Sequence, residues 1–266
     1  MKKYIIAFLL LVISFLYIFL SNETGGARVF VNLMTFAGIY GLAAIGINVH
    51  FGWTGLLNFG HAAFMGIGAY VTVLLIPHSL GREGVVISSG LPLPLAILIG
   101  IIAAALLGLL LGLPTLRLRG DYLAIVTIAA AEIFRLLVRD FEDLTGGVYG
   151  IIQFSDSLQS SRPDFITRFS ESHNISPAQF WVGLLTWISI IVVLLILSRL
   201  KKSPWGRALR AVREDEDAVR ALGKNAVLLK LQSFMLGAAI GGLSGIFLVF
   251  NYGTVQASTF VPVLTF

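Results

Sequence analysis

The chain of 266 residues contains no cysteine. Disulfides, thiol nucleophiles and cysteine-ligated metal centres are therefore excluded. Charge is also scarce, with only 12% of residues being Asp, Glu, Lys or Arg. No nucleophile–base arrangement, phosphate-cradling P-loop or H-E-x-x-H helix occurs anywhere, which argues against an enzyme and against ATP hydrolysis by this chain itself. No relay of carboxylates runs through the apolar stretches, which disfavours a proton-coupled carrier. His50 and His61 have no acidic or sulfur ligand nearby, so no metal site is expected. The net charge of +5 is better explained by cationic cytoplasmic loops than by nucleic-acid binding.

What is present is hydrocarbon. Hydrophobic residues make up 57% of the chain and its mean hydropathy is +0.89, the signature of an all-α, polytopic membrane bundle. The 28 glycines fit helices that pack through small residues. Candidate crossings are 4–20, 29–49, 60–76, 92–113, 121–138, 179–200 and 226–250. Each is long enough to span most or all of a roughly 30 Å core. Residues 4–20 follow Met1-Lys2-Lys3 as a signal peptide would, but Ser21-Asn22-Glu23-Thr24 offers no small-x-small cleavage site. A retained first helix is expected.

Loop charge sets the orientation. With Lys2 and Lys3 inside, seven crossings return Arg117 and Arg119 and the basic cluster of 201–225 to the same side. The opposite loops 21–28, 77–91 and 139–178 carry net charges of 0, 0 and −3. The count requires a tight polar turn around His50-Phe51-Gly52-Trp53-Thr54-Gly55 and Asn58, with Gly52 and Gly55 as breakers. The chain thus reads as one transmembrane unit over 1–266, with an extracytoplasmic loop at 139–178 and a cytoplasmic loop at 201–225.

Four features stand out. Gly237, Gly241 and Gly245 share a helix face with Ala238 and Gly242 beside them, and Gly108 and Gly112 repeat the spacing; close packing within the chain is expected. Glu132 and Arg135 are three apart within a crossing, so they are neighbours, either a local pair or part of a pathway. Asn48, Thr54, Asn58 and His61 surround the polar turn, with His61 expected to hydrogen-bond within the bundle; lining of a pathway is the alternative. Finally, Gly206–Gly223 carries four arginines, among them Arg207 and Arg210, and the acids Glu214, Asp215, Glu216 and Asp217. Read as one helix between Pro204 and Gly223, it is too polar for hydrocarbon. Four consecutive acids suit a partner's groove better than a lipid anchor.

These stretches resemble the inner-membrane permeases of branched-chain amino-acid ABC importers. The resemblance rests on Gly46-Ile47-Asn48 through Asn58-Phe59-Gly60-His61 to Gly68-Ala69-Tyr70, on Leu116-Arg117-Leu118-Arg119-Gly120-Asp121-Tyr122, on Leu144-Thr145-Gly146-Gly147 with Gly150-Ile151, and on Ser203-Pro204-Trp205-Gly206-Arg207-Ala208 through Gly223. It implies a bacterial inner-membrane subunit, N-terminus cytoplasmic, that binds no ATP or other cofactor. Its implied partners are two cytoplasmic ATP-binding subunits, a second homologous permease and an extracytoplasmic binding protein. The family's E-A-A-x-x-x-G docking pattern is matched imperfectly by Asp217-Ala218-Val219 and Gly223. Family members continue beyond this point with further helices, so a truncated sequence is expected. Rival readings are a permease for urea or short amides, an ATPase-independent channel or secondary carrier, and a membrane subunit with no pathway.

Overall fold

The computed structural model describes residues 25–80, 86–87, 90–115 and 120–265. The expected crossing at 4–20 and the Arg117–Arg119 loop lie outside them. The long helices are α1 (Gly26–Thr54), α2 (His61–Leu75), α3 (Leu93–Thr115), α4 (Gly120–Asp140), α8 (Pro177–Lys202) and α11 (Ala226–Tyr252). They correspond one to one with the remaining six expected crossings. Among the described helices, α1, α3, α8 and α11 are long and apolar enough to cross a membrane. At 15 residues α2 is too short to span alone.

Short elements fill the connections: α5 (Glu142–Thr145), α6 (Asp156–Gln159) and α7 (Asp164–Ser172) between α4 and α8, and α9 (Pro204–Glu214) and α10 (Glu216–Ala221) between α8 and α11. Three strands, β1 (His78–Leu80), β2 (Val86–Ile87) and β3 (Ile151–Ile152), form an antiparallel sheet in the order β2-β1-β3. Ile151 also bridges Val255, just beyond α11. The segments following α2, α4 and α11 therefore meet at one end of the bundle. The turn between α1 and α2 and the α9–α10 pair meet at the other.

α11 is the hub, packing on α1, α2 and α3, and small residues make this possible. Gly245 lies against the Met65 backbone. A methyl group on Gly68 would come within 2.6 Å of Gly242 Cα. One on Gly108 would come within 2.8 Å of Ala238 Cβ. With no hydrophobic gain available between helices in lipid, such close approach supplies the dispersion contacts that hold them together. Two hydroxyls add cross-helix bonds to α1: Ser233 Oγ to Val49 O at 2.9 Å and Ser244 Oγ to Ile39 O at 2.8 Å. The glycine face is thus spent within the chain. α8 sits outside the hub, joined to α1 by the Trp187 Nε1–Met34 O bond of 3.1 Å.

Candidate functional site: the polar break and the docking helices

α1 ends where Gly55 adopts φ 70°, a left-handed conformation that glycine takes without steric cost. Residues 55–60 then run without regular structure before α2 begins. This break is built around His50, which is fully buried. Asn58 Nδ2 donates to His50 Nδ1 at 3.0 Å, and His50 Nε2 lies 2.9 Å from Phe234 O on α11. Since an amide nitrogen only donates, Nδ1 accepts and the ring proton sits on Nε2, directed at that carbonyl. Asn58 Oδ1 accepts from Gly60 N at 2.9 Å, and Thr54 Oγ1 donates back to His50 O at 2.7 Å. Phe59 N reaches Thr127 Oγ1 on α4 at 3.1 Å. Three helices are joined through one irregular turn.

The expected roles divide accordingly. Thr54 and Asn58 belong to the buried cluster, and Asn48 does not: it is exposed, its amide lying over Gly52. His61 corrects the sequence reading. It is buried, yet neither ring nitrogen has a hydrogen-bond partner among the described residues. Its ring packs edge-on to His50 and Phe64 and fits against Gly46 and Gly241. The bonding falls to His50 because that residue, not His61, faces the Phe234 carbonyl. Glu132 is held by Arg135 through bonds of 2.9 and 2.5 Å on a partly exposed face of α4, a pair that satisfies itself.

The charged segment is not one helix. α9 ends at Glu214, and Asp215 is extended at φ −152°, ψ 103°. Its carboxylate accepts from Asp217 N at 3.0 Å and Ala218 N at 2.9 Å. An aspartate that caps a new helix stops the old one. α9 buries Gly206, Leu209 and Val212 and presents Arg207, Arg210 and Glu214 to water. Gly223, at φ 74°, turns the chain out of α10.

The four acids therefore differ. Asp215 is a cap. Glu216 is bonded by Arg220 at 2.6 Å and by Lys230 of α11. Glu214 and Asp217 remain outward, the Asp217 side chain being 93% exposed. Beside them Leu222 is 80% exposed, a large apolar group on a charged face.

Arg213 was not singled out by its sequence context. Its Nη1 donates to Gly52 O at 2.6 Å, satisfying one of the open carbonyls at the end of α1 and placing positive charge at the negative end of that helix. Trp205 adds an edge contact to Trp53 of α1 and donates to Gln232 Oε1 of α11 at 2.7 Å. The α9–α10 pair is thus fastened to α1 and α11, the two helices that His50 and Ser233 join deeper in the bundle.

A family described as the branched-chain amino acid transport system permease component matches residues 29–266. The high-affinity branched-chain amino acid transport system permease protein LivM of Salmonella typhimurium is 36% identical over 86% of this chain and 54% of its own length. The Escherichia coli LivM is 34% identical over 97% of this chain and 60% of its own. The Escherichia coli permease protein LivH is 26% identical over 85% of this chain and 71% of its own. The chain spans a little over half the length of the LivM relatives. No solved structure matches it.

Proposed function

The chain belongs to the permease-component family of branched-chain amino acid transport systems, and from that premise we propose that it is a membrane subunit of an ATP-driven importer of branched-chain amino acids. In this reading 201–225 is the cytoplasmic coupling loop and 139–178 the extracytoplasmic loop, with the N-terminus inside. The subunit binds no ATP and has no ATPase site; two cytoplasmic ATP-binding subunits supply the energy, and a binding protein delivers substrate from outside. Both LivM and LivH of Escherichia coli resemble this chain, which favours pairing with a second, homologous permease.

The observation that carries the reading is the Arg213–Gly52 junction. A helix pair on the water side is gripped to the end of α1, where the buried break begins. When the ATP-binding subunits close, α9 and α10 move with them. α1 follows through Arg213 and Trp53, and α11 follows through Lys230 and Gln232. His50 and Ser233 keep those two helices together, so the motion passes inward as a rigid displacement and switches access between the two faces.

The test is leucine uptake by the reconstituted complex of all subunits. Uptake requires ATP and the ATP-binding subunits; uptake without them supports a channel or carrier and overturns the reading. Arg213→Ala is expected to leave basal ATP hydrolysis intact while lowering uptake at least about tenfold, the weight of one charge-assisted bond. Arg213→Lys recovers part of the loss. Parallel loss of hydrolysis and uptake would remove Arg213 from the coupling route.

A further inference from the structure

We propose that the cleft between α9 and the start of α11 is a binding site for one anionic glycerophospholipid. The cleft encloses about 450 Å³ and is lined by Arg207 and Lys224, by Asn225, and by the apolar Ala208, Leu228 and Leu229. Both cations are exposed, and no carboxylate lines the cavity. The acids Glu214–Asp217, which would repel an anionic lipid, lie further along α9 and on α10. Glu216 is already paired with Arg220 and Lys230, and the only charged groups lining the cleft are cations.

A second groove continues the first. It is lined by Leu200, Trp205, Gln232 and Leu236 and shares Trp205 and Gln232 with the charged cleft. Leu200 lies near the end of α8 and Leu236 nearly three turns into α11, so the groove runs from the cations along both helices. The Trp205–Gln232 bond stands at the join, the depth at which an indole favours the boundary between water and hydrocarbon. Two cations, an interfacial tryptophan and an apolar channel, in that order, match a phosphate headgroup, a glycerol backbone and an acyl chain. A free phosphate uses only the first of these.

This site depends on the chain lying in a membrane and not on its transporting anything, so its test uses no uptake assay. The purified full chain is incubated with nanodiscs or mixed micelles holding phosphatidylglycerol or phosphatidylcholine, and retained lipid is counted by native mass spectrometry. One phosphatidylglycerol per chain is expected, with phosphatidylcholine retained far less. Arg207→Gln with Lys224→Gln should weaken retention roughly thirty-fold, at about one surface cation's worth each. Arg162→Gln with Arg168→Gln, in the α6–α7 region, should leave retention unchanged. Leu236→Asn should weaken retention while leaving both cations in place. Equal retention by the Arg207/Lys224 variant overturns the proposal. So does full displacement of the lipid by millimolar inorganic phosphate, or an unchanged count in the Leu236 variant, since either reduces the site to an anion pocket.

Discussion

α8 and α11 are almost the same length, 26 and 27 residues, and α8 is the more apolar. Yet 28% of the most apolar stretch of α8 is buried within the chain, against 78% for α11. In water the order would be reversed, since the greasier helix would sit inside. In a bilayer, lipid tails solvate Ile191, Val192 and Leu195 of α8 as well as protein does, so apolar character no longer distinguishes inside from outside. Backbone access does. α11 enters the centre because Gly237, Gly241, Gly242 and Gly245 let three other helices approach it.

Three contrasts test this difference, the first with the largest effect. Gly245→Leu drives a side chain into the Met65 backbone, an insertion beyond the usual overpacking cost of about 1–3 kcal/mol. The variant is expected to lose its monodisperse peak and its cooperative melting transition in detergent, whereas Val192→Leu on α8 keeps both. A normal melt for Gly245→Leu would break the comparison. Next are the lysines. Lys230 on α11 is bonded to the partly buried Glu216, and Lys230→Gln is expected to cost about 1–2 kcal/mol, between the exposed and buried cases. Lys202, exposed at the end of α8, is expected to be replaceable by Gln with no change in the denaturation midpoint. The smallest effect is Ser233→Ala, which removes one interhelical bond to Val49, worth about 0.6 kcal/mol. The matched change Ser198→Ala on α8 removes only a local bond to Leu195, and the two midpoints should separate in that order.

The sequence made the large features legible for the same reason that lipid hides burial. Long apolar runs broken by glycine, proline or charge define candidate crossings; six of them appear as helices within a few residues of their expected limits, and four of those are long and apolar enough to span a membrane. The glycine spacing on α11 correctly indicated packing within the chain. Three features left no such trace. Asp215 reads equally well as a helical charge or as a cap, and only its extended backbone decides. Arg213 binds a backbone carbonyl, which every residue possesses, so nothing at Gly52 marks it as the recipient. His50 and His61 are chemically identical and both lie against α11, and their opposite roles depend on which one reaches the Phe234 carbonyl. The sheet was missed because strands of two or three residues carry no readable alternation.

The bond between His50 and Phe234 spans 184 residues of sequence. His50 enters the membrane with α1, while its acceptor arrives only with α11, after every helix between them. Through the insertion of every helix between them, the imidazole must keep its proton without that carbonyl. The polar break is therefore completed late, by helix association and not by insertion. A chain interrupted before α11 would carry the buried His50 Nε2–H without its acceptor, a lasting mark of unfinished assembly.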